Sequence, residues 1–184
     1  MRVISGSAKG RKLRSVPGES TRPITDRVKE ALFNIIGPDI QESAFLDMFA
    51  GTGSVGIEAL SRGAKTALFI DLQRVAVKTV NENLKLTKLT DGAEVVRGDA
   101  LAILDGPPHL QYDYVYIAPP QYQGIWIEAL RKVDDHLEWL SEDAWVIIQI
   151  HPQEIEDQKL NHLVEFDRRN YGSTVLIFYQ VRDE

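Results

Sequence analysis

Three aspartates and three glycines carry the first chemical signal in this 184-residue chain. Asp47 precedes the run Gly51-Thr52-Gly53-Ser54-Val55-Gly56, Asp71 follows Gly51 by 20 residues, and Asp99 stands within Gly98-Asp99-Ala100. A G-x-G-x-x-G spacing after an apolar strand and before a helical pattern makes a tight turn that brings backbone N–H groups close to a ligand. A carboxylate about 20 residues further on, at the end of the next strand, can accept both hydroxyls of a ribose. A second cluster lies in the stretch YIAPPQY, residues 116–122. There Ala118, Pro119, Pro120, Gln121 and Tyr122 follow an apolar run, so that two prolines fix a backbone and an aromatic ring stands at a strand end.

The glycine loop alone fits a dinucleotide or another adenosine ligand. Asp47 separates the two, because a pyrophosphate there would meet a buried negative charge whereas a cationic amino-acid moiety would be attracted. S-adenosylmethionine has that moiety. Asp99, after the third strand, can accept from an adenine amino group where the strand order reverses. Phe49, Leu72 and Ala100, adjacent to these positions, are assigned to the same cofactor site. Each aspartate also has a plain structural reading: Asp47 as a turn cap, Asp71 as a solvated strand end, Asp99 as the N-cap of a short helix.

These residues need a scaffold, and the pattern supplies one. AFLDMF predicts a strand, SVGIEALSRG a helix closed by Gly63, KTALFID a strand and QRVAVKTVNENLKLTKL a helix. AEVVRGD and YDYVYIA predict strands flanking a short helix at 100–104, WIEALRKVDDHLEWL a helix and AWVIIQI a buried strand. Strands alternating with helices imply a parallel, doubly wound sheet. Two extended runs joined at Asn170-Tyr171-Gly172-Ser173 close it with an antiparallel hairpin. Upstream, RVISGSAKGRKLRSV predicts a small hairpin, and Thr25 caps a helix, DRVKEALFNII, that ends at Gly37-Pro38 and carries the hairpin beyond the main body. The division expected is therefore a basic extension at 1–37 and a catalytic domain at 38–184. Trp126, Trp139 and Trp145 read as core aromatics, and His151 as a structural histidine at a strand end.

Composition narrows the partners. With 43% hydrophobic and 26% charged residues the chain is globular, and no apolar run or apolar leader points to a membrane or to export, so a cytoplasmic protein is expected. It has no cysteine, and its four histidines are scattered without ligand spacing, so no metal is expected. Net charge is −6, yet residues 1–34 hold eight Lys or Arg against three acids, a local +5 on a body of −11. Such a basic segment can dock on phosphates while the acidic body is repelled.

Taken together, RVISGSAKGRKL, RPITDRVKEALFNII, LDMFAGTGSVGIEALSRGA, GDA and PPQY resemble, in this order and over nearly the whole chain, the RsmD family of small-subunit ribosomal RNA guanine-N2 methyltransferases. The N-terminal motifs are the specific part, since the glycine loop is common to Rossmann-like methyltransferases. The resemblance implies a Rossmann-like, seven-stranded, mostly parallel sheet with the C-terminal antiparallel hairpin and the small N-terminal extension. It implies methyl transfer from S-adenosylmethionine to the exocyclic amine of one guanine in 16S-type rRNA within a partly assembled small subunit. A monomer is expected separately, since an RNA enzyme of this size needs its open face. Asp47, Gly51 and Gly53 would hold the methionine part, Asp71 the ribose and Asp99 the adenine. Lys9, Arg11, Lys12, Arg22 and Arg27 would meet the RNA backbone, with Arg22 also a candidate clamp on the loop before the helix and Glu30 a candidate partner for Arg22 or Arg27.

One position departs from the family pattern. Where the family has Asp-Pro-Pro followed directly by an aromatic, this chain has Ala118-Pro119-Pro120-Gln121-Tyr122. The acid accepts an N–H of the guanine amine and a backbone carbonyl of the first proline accepts the other, while the ring stacks on an extruded base. With Ala118 the side-chain acceptor is gone. Either the Pro119 carbonyl and the Gln121 amide replace it, or the target differs, or the chain is an RNA-binding factor without turnover. A nicotinamide-dependent oxidoreductase is a further reading, disfavoured by Asp47 and the lack of a proton-handling residue.

Overall fold

The computed structural model describes residues 1–18 and 23–184. The expected seven-stranded sheet is present, in the order β3-β2-β1-β4-β5-β7-β6. Its parallel part is β1 (Ala44–Asp47), β2 (Thr66–Asp71), β3 (Ala93–Arg97), β4 (Tyr112–Ile117) and β5 (Leu140–Ile150). β7 (Thr174–Val181) inserts antiparallel beside β5, and β6 (Leu163–Tyr171) forms the edge. Strand order reverses between β1 and β4, which opens a crevice at their carboxyl ends. The central strands β1, β2, β4, β5 and β7 are buried on both faces, as apolar runs without alternation require: Phe45, Tyr114 and Phe178 pack on one side, and Leu46, Val115 and Ile148 on the other.

Five helices cover the sheet: α1 (Asp26–Ile36), α2 (Ser54–Ser61), α3 (Arg74–Thr87), α4 (Ala100–Leu104) and α5 (Ile125–Asp135). Thr25 caps α1 as expected, its hydroxyl accepting from Val28 N at 3.2 Å. α2 is buried on every side, and a Cβ on Gly56 would lie 2.3 Å from Cε1 of Phe69. The third glycine of the loop is thus a packing residue that lets the helix approach β2. The helix expected at 126–140 stops earlier. Chain direction changes at His136, because Trp139 turns inward to donate its indole N–H to the carbonyls of Leu104 and Gly106 at 3.2 Å each and to stack on Tyr112. β5 therefore starts at Leu140, before the predicted Ala144.

The N-terminal segment differs from the expected projecting hairpin. Among the described residues its strand pairing is a single antiparallel bridge, Arg2 with Lys12, and it lies against α2 rather than beyond α1. Val3, Ala8 and Leu13 are buried in the same core as Leu32, Phe45 and Ile57. Gly6 explains the closeness, since at φ +87° it passes so near the chain that a Cβ would fall 1.8 Å from the Ser61 carbonyl oxygen. Lys29, counted in the basic segment by sequence, is fully buried. Its ammonium donates to the Arg2 carbonyl (2.6 Å) and Ser54 Oγ (2.9 Å) and lies 3.4 Å from Glu58. Glu58, also fully buried, accepts from the backbone of Ile4 and Ser5 and from Arg62. Burial pulls the Lys29 pKa down, and Glu58 opposes that fall. Lys29→Ala is expected to cost about 3 kcal/mol, as loss of a partner from a buried ion pair does, read as a lower urea midpoint at unchanged slope.

Candidate active site

Three aspartates converge at the carboxyl ends of neighbouring strands. Asp47 ends β1, in register with Phe69 of β2 and Tyr116 of β4. It is 1% exposed, and its Oδ1 has no hydrogen-bond partner. Burial, reinforced by Asp71, pushes its pKa up to about 7, against weaker opposition from the N–H groups of Gly56 and Phe49. A buried carboxylate oxygen left without a partner is costly, and a cationic ligand group placed there removes the cost. The N–H groups of Phe49 and Gly56 fit the turn-cap reading of Asp47, and the unpartnered Oδ1 is what that reading leaves over.

Asp71 is more than a solvated strand end. Its Oδ2 accepts from Gly51 N at 2.9 Å and its Oδ1 from Gln73 N at 2.9 Å, so it ties the glycine loop to the turn after β2. Gly51 and Gly53 take left-handed conformations, φ +55° and +80°, and a Cβ on Gly51 would meet nothing within 4 Å. That open side faces where a ligand can approach, whereas Gly53 is packed against Val80 and Ile57. Leu72 is 62% exposed, an apolar side chain offered beside Asp71. Asp99 is the N-cap of α4, accepting from Leu101 N at 3.0 Å, which bears out its structural reading; Ala100 behind it is buried. Phe49 packs partly buried on the opposite core from the glycine loop's Ala50.

At the end of β4, Ala118 is half-buried against the core, Pro119 is buried, and Pro120 and Gln121 are exposed. Tyr122 is not a packing aromatic. Its ring is 62% exposed and its backbone holds φ +63°, rare for a residue with a side chain. Glu154 fixes this geometry by accepting from Tyr122 N at 2.8 Å. Beneath the loop, the Tyr116 hydroxyl donates to Gln149 Oε1, and burial with Asp47 nearby raises the Tyr116 pKa well above its ordinary value. The phenol therefore stays a proton donor at neutral pH.

Lys9, Arg11, Lys12 and Arg27 are exposed, with no carboxylate within ion-pair distance among the described residues; Arg22 lies outside the described residues. Glu30 is exposed and makes no ion pair with Arg27. Arg2 and Arg14 are engaged, with Asp26 at 3.5 Å and Glu82 at 3.3 Å. Sequence reasoning missed Asn83, a buried amide on α3 that clasps the backbone N–H and carbonyl of Arg14 and the carbonyl of Thr52 in the glycine loop. In sequence it is one polar residue among several in Asn81-Glu82-Asn83. Trp126 and Trp139 are core, and Trp145 packs with Tyr114, Phe166 and Phe178, as expected for structural aromatics. The described residues contain no group of three metal-binding side chains and no helix long and apolar enough to cross a membrane.

Comparison with known proteins agrees with this architecture. The family model described as Conserved hypothetical protein 95 matches residues 1–180. A Bacillus subtilis protein named as an rRNA methyltransferase, YlbH, is 41% identical over 99% of this chain and 100% of its own length. The Escherichia coli K12 protein named ribosomal RNA small subunit methyltransferase D is 36% identical over 81% of this chain and 74% of its own. A solved structure from E. coli, the methyltransferase yhhF, superposes with a TM-score of 0.86 at 31% identity, covering 98% of this chain and 97% of that one. A seven-stranded sheet of this order, a glycine loop with an unpartnered aspartate beneath it, and these matches across both halves have one common account: the chain belongs to the RsmD family.

Proposed function

We propose that this protein methylates the exocyclic N2 amine of a guanine in small-subunit, 16S-type ribosomal RNA, using S-adenosylmethionine. The observation that carries the cofactor half is the unpartnered Oδ1 of buried Asp47 beneath the open face of Gly51. The residues present fit that molecule. Asp47 would hold the ammonium of the methionine part, Asp71 the ribose hydroxyls through lone pairs left by Gly51 and Gln73, and the second oxygen of Asp99 the adenine amine. Leu72 would cover one face of the adenine. S-adenosylmethionine supplies, when bound, an electrophilic methyl carbon on a sulfonium. The chain's task is then to aim a weak nucleophile, since the lone pair of a guanine amine is delocalised into the ring. The Pro119 carbonyl accepts one amine hydrogen, Tyr122 stacks on the extruded base, and the amine's spare proton leaves to solvent as the new N–C bond forms.

The RNA half rests on the exposed cations Lys9, Arg11, Lys12 and Arg27, which have no carboxylate partner among the described residues, and on the family. Lys9, Arg11, Lys12 and Arg27 would contact phosphates of rRNA in a partly assembled small subunit, met by one copy of the chain. Changing Arg11 and Lys12 to alanine is expected to weaken RNA binding and to make its log–log salt dependence shallower by about 1 to 2, measured by filter binding across a salt series. An unchanged slope takes the segment out of the interface.

The test of the activity is methyl transfer from labelled S-adenosylmethionine to unmethylated small subunits, with the labelled base mapped. Label on a guanine N2 is expected. Cofactor binding without label would instead favour a second reading, which Ala118 supports: an RNA-binding member that keeps the fold and has lost turnover.

A further inference from the structure

The end of β5 reaches the catalytic loop through groups that the cofactor and the prolines leave unused. Glu154 spans them. One of its carboxylate oxygens accepts from Tyr122 N at 2.8 Å and the other from His151 N at 3.1 Å, so one side chain sets both backbones. It thereby keeps an exposed aromatic residue in a left-handed conformation, the kind of strain that persists where a site needs a particular orientation. The His151 ring, half-buried, stands 5.7 Å from the Tyr122 ring at an interplanar angle of 43°. That separation is edge contact, too close for a base to enter between them, so the two rings form one continuous surface.

The tautomer of His151 follows from its other contact. Nδ1 accepts from Gln153 N at 3.0 Å, capping the turn Pro152–Glu154. A neutral imidazole that accepts at Nδ1 carries its proton on Nε2. No partner for Nε2 occurs among the described residues. His151 thus presents an unused donor next to the exposed ring of Tyr122.

Resting on the proposed RNA methylation, we infer that His151 contacts the substrate nucleotide. Its ring extends the stacking surface of Tyr122, and its Nε2–H donates to a hydrogen-bond acceptor, either guanine O6 or the adjoining phosphate. Glu154 is the positioning residue that holds the two rings together.

Asparagine separates this role from the structural one, because its side-chain oxygen can keep the cap on the turn while removing the ring and the donor. His151→Asn is expected to weaken binding of unmethylated small-subunit rRNA about tenfold, comparable to the loss of one stacking contact, with the affinity for S-adenosylhomocysteine unchanged by calorimetry. Glu154→Gln is expected to raise KM for the subunit and lower kcat together, since it loosens Tyr122. At the guanine that the transfer assay maps, 2-aminopurine lacks O6. If the contact is to O6, the loss caused by His151→Asn shrinks with that RNA to its stacking part; if it is to phosphate, the full tenfold loss persists. Wild-type affinity and kcat/KM in His151→Asn overturn the inference while leaving the methyltransferase reading intact. A wild-type chain that neither binds nor methylates rRNA removes both.

Discussion

Asp47→Ala is expected to abolish measurable binding of S-adenosylmethionine, a loss of at least about a hundredfold in Kd by calorimetry. The size follows from the burial of the carboxylate. A charged contact to a partner held out of water is worth several times an exposed one, and breaking it commonly costs 2–5 kcal/mol. Asp47→Asn separates charge from shape, and should lose nearly as much because the amide brings no negative charge. The pH dependence gives a second signature. The carboxylate of the free protein sits near pH 7, raised from its ordinary value by burial and by Asp71. A folded-state value above the unfolded one means that ionisation opposes folding. The Asp47 contribution is therefore most favourable below about pH 4 and is lost as pH rises from there through 7. Binding a cation reverses the preference, because the ionised form is the one that attracts it. Affinity should rise between about pH 5.5 and 7.5, with protons released on binding at pH 6 and few at pH 8, as read from calorimetry in buffers of different ionisation heat. Undiminished affinity in Asp47→Ala, or no proton release at pH 6, would move the methionine pocket elsewhere.

How far the sequence revealed this arrangement depended on how local each signal was. The strand and helix alternation and the turn between the first strand and α2 depend on neighbours within a few dozen residues, and the structure has both, with only the end of α5 and the start of β5 displaced. The N-terminal segment was legible as basic but not as docked. Its position is set by Gly6 against Ser61 and by Lys29 against Glu58, contacts between residues whose pairing no periodicity reveals. Lys29 also shows why counting charges overstates a surface: one of the cations of the segment is an interior strut. Asn83 binds the backbone of Arg14 from 69 residues away and the carbonyl of Thr52 as well, so it links the basic segment to the glycine loop. Asn81 and Glu82 are equally polar, yet among the described residues Asn81 bonds only within its own helix and Glu82 meets only the side chain of Arg14. The same holds for Glu154, whose importance comes from the position of Tyr122 rather than from anything in Pro152-Gln153-Glu154.

The position that the sequence flagged most clearly, Ala118, is also where a single side chain has the most to add. Ala118→Asp is expected to raise kcat for methyl transfer about a hundredfold with little change in cofactor affinity. The residue directly follows β4, half-buried, just before the buried Pro119 whose carbonyl already offers one acceptor. On the proposed guanine target, that carbonyl alone gives one amine hydrogen a fixed acceptor and leaves the other without one. A carboxylate at this position accepts the second, rotating the lone pair toward the methyl, and one positioned hydrogen bond to a reacting group is worth roughly 3 kcal/mol. The added acid has Asp47 in the neighbouring strand, so some of the gain is offset by repulsion, and the gain should grow once a cationic ligand neutralises Asp47. Side-chain room is not limiting, because Ala118 retains exposure. The comparison is single-turnover transfer to unmethylated subunits by the two proteins at saturating cofactor. A rate that rises only a few-fold would mean that the Pro119 carbonyl and the loop already orient the amine, and that alanine is sufficient here. A variant that stays inactive while binding both cofactor and RNA would place the lost step elsewhere, and would favour the binding-only reading of the chain over a damaged catalytic loop.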